Sequence, residues 1–210
     1  MPWLDPRSLH GANVTLEPLA AAHRADLEDA VRDGELWRLW YTSIPQPAGM
    51  GAEIERRLAL QAAGSMLPFA VIERATRRAV GMTTYMNVDA IHRRVEIGST
   101  WYAARVQRTA LNTECKLLLL GHAFEALDCI AVEFRTSSFN ARSRRAIERL
   151  GAKLDGILRS HQRHADGTLR DTCVYSILAA EWPAIRANLR FALEGPGQPP
   201  ETASAQRGPS

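Results

Sequence analysis

Two short runs in this 210-residue chain place titratable and hydroxyl side chains where chemistry could use them. The first reads as a strand, RVEIGSTWY (residues 94–102), carrying Glu96 two residues before Gly98. A polar turn, VQRTAL, follows it and leads into Asn112-Thr113-Glu114. The second run is Asn140-Ala141-Arg142-Ser143. Each run opens a helix. The first turn of a helix has unpaired N–H groups and about half a positive charge. Two such starts beside two neighbouring strands therefore make one cleft suited to a long phosphorylated ligand. Arg108 and the hydroxyls of Thr109 and Thr113 reinforce the first; an ordinary helix cap accounts equally for these residues taken alone.

Alternation along the first strand sets Val95, Ile97, Ser99 and Trp101 on one face and Glu96, Gly98 and Thr100 on the other. A glycine inside a strand marks a bulge or a close approach. Glu96 beside it is either a carboxylate projecting near the cleft or a solvated strand residue. On the helix after Asn140, positions 143, 146, 147 and 150 share a face, so Ser143 joins Ala146, Ile147 and Leu150 on the inward stripe. Arg142, Arg145 and Arg149 then lie largely elsewhere. Asn140 occupies the N-cap position, and a capping Asn with a tolerated small Ser explains the same pattern.

The elements that must position these residues are legible from periodicity. Asn13–Leu16 reads as a strand ended by Pro18, and residues 20–32 carry helical spacing with Leu27, Ala30 and Val31 on one side. Trp37, Trp40 and Tyr41 stand at i, i+3 and i+4, an aromatic face that suits the core first and the border of a binding site second. A helix over residues 52–63 stops at Gly64. Strands over 67–73, 80–88 and 95–102 make a meander. A helix over 112–127 carries the apolar stripe Leu117, Leu120, Phe124 and Leu127; a strand over 130–136 and a helix over 141–150 follow. Asp166-Gly167 marks a hairpin turn between strands 154–161 and 169–178, and a last helix covers 181–193. The order gives a single mixed α/β domain over residues 1–194, a largely antiparallel sheet with helices on both faces. Residues 195–210 have nothing to bury and read as a disordered tail.

Composition narrows the function. A net charge of +3 does not suit a dedicated nucleic-acid binder, so no stable nucleic-acid partner is expected. No apolar run approaches the roughly 20 residues of a membrane span, and the opening MPWLDPRSLHG lacks a secretory core. Cys115, Cys129 and Cys173 form no C-x-x-C, and His161 and His164 fall on opposite faces of a hairpin arm. A cytoplasmic protein without a metal site is the expectation.

Taken jointly the segments resemble the GNAT superfamily of acyl-CoA-dependent N-acetyltransferases, in the branch similar to the ribosomal-protein N-terminal (RimJ/RimL-like) enzymes. The likeness rests on Gln107, on Asn112-Thr113-Glu114-Cys115-Lys116 and on the run from His122 to Leu127. It extends through Asn140 to Ser143, Leu150-Gly151-Ala152, Asp166-Gly167 and Glu181-Trp182. Arg108 and Ala110 depart from the glycines usual in that family's turn.

The resemblance implies a sheet splayed between two strands, with acetyl-CoA in the V between the strand ending at Trp101 and Tyr102 and the strand 130–136. Gln107, Arg108, Thr109, Ala110, Leu111, Asn112 and Thr113 would hold the pyrophosphate. Asn140 would contact the pantetheine arm and Ser143 the region of the sulfur. An attacking amine must be neutral, although an α-amino group has a pKa near 8, so a base is useful and Glu96 is the candidate. A strand N–H around residues 97–99 would face the developing oxyanion, and Ser143 would donate to the departing thiolate. Trp37, Tyr41, Arg159 and His161 would border the acceptor, a protein N-terminus or a small-molecule amine. A homodimer is compatible with the sequence. The competing class is a catalytically silent acyl-CoA-binding module.

Overall fold

A computed structural model describes residues 3–164 and 166–195. Eight strands form one sheet in the order β1-β2-β3-β4-β5-β6-β8-β7. The strands are β1 (Leu9–His10), β2 (Val14–Pro18), β3 (Met66–Glu73), β4 (Arg78–Asp89), β5 (Arg94–Tyr102), β6 (Ala131–Ser137), β7 (Lys153–Arg163) and β8 (Leu169–Leu178). Among the described residues five α-helices flank the sheet: α1 (Arg24–Arg32), α2 (Met50–Ala62), α3 (Leu111–Gly121), α4 (Ala141–Arg149) and α5 (Trp182–Glu194). Every neighbouring pair is antiparallel except β5 with β6. Parallel strands need a long crossover, and α3 supplies it.

Successive strand residues point to opposite faces, and β4 shows what each face holds. Thr84 receives a hydrogen bond from Arg57 of α2 at 2.7 Å, whereas Tyr85 donates to the Leu119 carbonyl of α3. Helices α1 and α2 therefore cover one face, and α3 lies on the other with α5 packed against it. The apolar residues of β3 are buried along nearly its whole length, as a strand covered on both faces requires. Gly151, at φ +97°, ends α4; a Cβ there would sit 3.0 Å from Ile185 Cγ1 of α5. Glu114, buried in the first turn of α3, accepts a 3.1 Å hydrogen bond from the Asn13 amide and anchors the helix to the β1–β2 turn.

Three expectations change. Strand β1 carried no periodic signal, being two residues long. The segment with Trp37, Trp40 and Tyr41 is a single 3-10 turn, Leu36–Arg38, entered through Glu35 at φ +45°. It does not form an aromatic core face: Trp37 is partly buried and Trp40 is 53% exposed. The helix expected over 112–127 is α-helical only to Gly121 and continues as a π turn, His122–Ala126. There the Leu119 carbonyl accepts from both the His122 amide and the Tyr85 hydroxyl. Residues 196–210, nearly all of the expected tail, lie outside the described residues.

Candidate active site

Strands β5 and β6 pair over three residues only, Arg94 with Ala131, Val95 with Val132 and Glu96 with Glu133, and then diverge. Beyond that point the β5 backbone has lost its β6 partner, so the groups that would face β6 are unpaired within the sheet. The opening is a cleft of about 1090 Å³. Helix starts α3 and α4 both border it, as the two chemical runs predict. Of the predicted site residues, Glu96, Trp101, Tyr102, Gln107, Arg108, Thr109, Ala110, Asn112, Thr113, Asn140, Ser143 and Tyr41 line it. Leu111, Trp37, Arg159 and His161 do not.

On the side of α3, the turn is held from both ends. The Gln107 amide donates to the Tyr102 carbonyl at 2.7 Å and accepts from the Arg142 guanidinium. Arg108 has φ +61°, the left-handed conformation that favours glycine. The Thr109 hydroxyl donates to the Val106 carbonyl at 2.8 Å and accepts from the Leu111 amide at 3.3 Å, so it caps the helix. The first intrahelical bond runs from the Glu114 amide to the Ala110 carbonyl at 3.0 Å. The amides of Asn112 and Thr113 precede it and have no helical acceptor. These donors fit a diphosphate. Leu111 instead turns its side chain into the core, 5% exposed.

Arg142, Arg145 and Arg149 were expected away from the cleft, but all three border it. Their long side chains wrap from the flank of α4, a reach that a helical wheel built on Cα positions misses. Together with Arg108 they give this half of the cleft a strongly positive character.

At the apex Glu96 is buried, 5% exposed, and accepts from the Asn87 amide at 2.6 Å. The Arg135 guanidinium lies 3.6 Å away. Burial pushes the Glu96 carboxyl above the ordinary carboxylate range, with the Glu133 charge adding to it, against the pull of Asn87 and Arg135. Gly98 makes the room. A Cβ there would stand 2.7 Å from Glu96 Oε1 and 2.8 Å from Met86 Sδ.

Immediately beyond, β5 bulges. Thr84 pairs with Gly98 and Met82 with Trp101, so two β5 residues oppose one on β4, and Ser99 adopts φ +48°. The bulge overturns the expected alternation: Ser99 is exposed, and Trp101, paired with Met82, falls on the face of Gly98 rather than on that of Ile97, which pairs with Tyr85. Arg57, 2% exposed, holds the bulge from one face, bonding Glu53 and Thr84 at 2.7 Å each and approaching the Ser99 carbonyl at 3.4 Å. From the other face Lys116 donates to the Thr100 hydroxyl at 3.2 Å, itself 2.8 Å from that of Thr83. Burial lowers Lys116 to about 8 and raises its neighbour Cys115 to about 12. Neither Arg57 nor Lys116 was singled out for the site. Lys116 was detectable, standing four residues after Asn112 on the same side of α3; Arg57 carried only its i, i+4 spacing from Glu53.

Asn140 caps α4, its Oδ1 accepting from the Ser143 amide at 3.0 Å. Ser143 lines the cleft above the buried Ile147 and Leu150, as the inward stripe predicts. On the acceptor side, β7 bulges around Ser160, φ +48°, where residues 159–161 oppose Asp171 alone. Arg159 and His161 fall within that bulge and do not line the cleft, where Gln162, Arg170 and Thr172 stand instead. His161 bonds the Thr172 hydroxyl at 3.1 Å through Nδ1. Tyr41 reaches the cleft, while Trp40 meets Phe139 and His164 with ring centroids 5.4 and 5.8 Å away.

Among the described residues no helix is long and apolar enough to cross a membrane, and no cluster of three or more His, Cys, Asp or Glu has metal-ligand geometry. All three cysteines are buried and unpaired.

This architecture has relatives. A GCN5-related N-acetyltransferase from Brucella melitensis superposes with a TM-score of 0.82 at 29% identity, over 91% of this chain and 87% of that one. Mycobacterium smegmatis RimJ, solved with CoA-disulfide, shares the fold at 21% identity and a TM-score of 0.76, over 89% of this chain and 95% of its own. YdaF of Bacillus subtilis (strain 168), named as a candidate ribosomal N-acetyltransferase, is 31% identical over 102 residues. That match spans 49% of this chain and only 55% of YdaF. Residues 13–153 match the acetyltransferase (GNAT) domain family, and with the splayed β5–β6 pair between two helix starts, the chain belongs to that family.

Proposed function

We propose that this protein transfers an acetyl group from acetyl-CoA to a primary amine, both substrates being bound in the cleft when the amine attacks. The observation that carries this reading is the parting of β5 and β6 at Glu96, which puts a buried carboxylate between a phosphate-attracting half and a second, open half. The bound thioester supplies the activated acyl group. The amides of Asn112 and Thr113, the side chain of Arg108 and the arginines of α4 hold the diphosphate end. Trp101 and Tyr102 form part of the β5 wall along the pantetheine path.

Glu96 takes the proton from the incoming amine, and its raised pKa brings it closer to the amine it must serve. Unpaired β5 N–H groups beyond Glu96 stabilise negative charge on the acyl oxygen. Ser143 donates a hydrogen bond to the leaving sulfur, a light task because a thiol is acidic at about pKa 8.5. Tyr41 borders the amine, which we take to be a protein N-terminus, in keeping with the ribosomal acetyltransferase name of the Bacillus relative. The reaction belongs in a reducing cytoplasm, a setting that three buried free thiols support.

Calorimetry with acetyl-CoA, followed by thiol release against a panel of peptides and amines, tests the reading. Binding with amine-dependent release is the expected result. Binding without release from any amine leaves a silent acyl-CoA module, and no binding at all removes the proposal.

A further inference from the structure

Charge divides the cleft unevenly. Arg108, Lys116, Arg142, Arg145 and Arg149 border the half assigned to the diphosphate, where anionic oxygens answer them. The other half has no such partner waiting, yet it too is positive. Its wall carries Arg56, Arg57, Arg135 and Arg170 against Glu53 and Glu96 alone. Three of those arginines are engaged: Arg56 and Arg57 with Glu53, and Arg135 with Glu133 at 2.9 Å and Glu96 at 3.6 Å.

Arg170 is different. It projects from β8 on the same face as Thr172, and its guanidinium lies near enough to Glu96 for each to feel the other's charge. No carboxylate oxygen lies within 4.0 Å of it among the described residues, and its Nε is buried without a hydrogen-bond acceptor. A buried guanidinium donor left unpaired is unfavourable, and a carboxylate is its best geometric complement because the planar fork donates to two oxygens at once.

Resting on the acetyltransferase reading above, we propose that Arg170 receives a carboxylate carried by the acceptor within a few bonds of its reacting amine. The acceptor class is thus an acidic α-amine, an aspartyl- or glutamyl-type peptide N-terminus or a free acidic amino acid, and polycationic amines are rejected. The arrangement helps in two ways. The carboxylate docks at Arg170 and turns the amine toward Glu96. The surplus of positive charge also disfavours an ammonium, so the bound amine sheds its proton more easily. Spermidine or an aminoglycoside, bringing several positive charges into this half, meets repulsion opposed only by Glu53 and Glu96, which already face arginines.

Thiol release by the full chain at saturating acetyl-CoA tests this with matched acceptors. Peptides beginning Asp-Ala and Asp-Ser are compared with Asn-Ala and Asn-Ser, alongside free aspartate, spermidine and kanamycin. The expected result is a preference of tenfold or more in kcat/KM for carboxylate over amide, expressed mainly in KM, with the polycations last. Free aspartate against the peptides separates a metabolite acceptor from a protein one. In R170Q the carboxylate preference falls to near one, while R170K keeps part of it and the melting shift with CoA persists in both. Should no acceptor turn over, the same peptide pairs titrated into CoA-saturated protein give the ratio as Kd. A ratio near one in the parent protein, or a preference that survives in R170Q, overturns the assignment and leaves the acetyl-transfer reading intact. Loss of acetyl-CoA binding in the parent protein would instead sink that earlier reading.

Discussion

Glu96 and Lys116 are buried ionisable groups on opposite faces of one strand, and their environments shift them in opposite senses. Burial favours the neutral form of each, which means a retained proton for Glu96 and a lost one for Lys116. For Glu96 the consequence is kinetic. Only its carboxylate form can accept a proton, so kcat/KM should climb as pH rises through a value above the ordinary glutamate range. E96Q should lose that limb and fall by about 10²-fold or more, the usual contribution of a positioned base; an unchanged pH–rate profile would remove the role. For Lys116 the consequence is thermodynamic. Its folded pKa of about 8 lies below the value of 10.5 expected when it is exposed. Between those two values the unfolded chain binds more protons, so the folded state gains stability as pH rises, and below 8 the full penalty of a buried ammonium remains. Denaturant unfolding of the parent and K116M at pH 7, 8 and 9.5 isolates this effect. The parent should gain on the variant only across the upper interval, whereas parallel curves would mean that the ammonium is solvated.

Elements were more legible than their phase. The helices and strands from Met50 onward fall within a few residues of their expected places, because apolar periods of 3.6 and 2 report which face is buried. What periodicity cannot report is an extra residue. The bulge at Ser99 exposes a side chain expected on the buried face, and the one around Ser160 takes Arg159 and His161 out of the regular ladder. In both cases a non-glycine residue takes a left-handed φ that its side chain does not advertise. The π turn of residues 122–126 is a third case. There the signal lies 34 residues away, in the Tyr85 hydroxyl that claims the Leu119 carbonyl. Y85F keeps the ring's packing and removes that donor. The Leu119 carbonyl keeps the His122 amide, so the loss is that of one net hydrogen bond, about 0.5–1.5 kcal/mol, which for a chain of this length lowers Tm by roughly 1–6 °C. Thermal unfolding measures it. A Tm within a degree of the parent would show that the π turn is set by α3 itself.

At the scale of the molecule, the cleft is a seam. Strands β1 to β5 and strands β6 to β8 form two antiparallel groups, joined in the sheet by a three-residue parallel ladder. Beyond that ladder the two groups meet through side chains, such as the contact of Gln107 with Arg142 between the α3 turn and α4. The seam was readable in outline, since two chemical runs flanking one crossover helix placed it there. Its charge division was not, because it depends on where long arginine side chains reach rather than on where their Cα atoms stand. A ligand spanning the seam touches both groups and must restrain their separation. Acetyl-CoA at a hundredfold excess over its Kd adds about 2.7 kcal/mol to the folded state, a Tm increase of roughly 5–11 °C. The protection should not be uniform. Hydrogen exchange should slow most along β5 beyond Glu96 and along β6 beyond Glu133, where backbone groups lack partners across the gap, and least at the exposed outer strand β7. Slowing spread evenly over the sheet would mean that the ligand stabilises the fold without bridging its two parts, and the splayed strands would then not be the binding site.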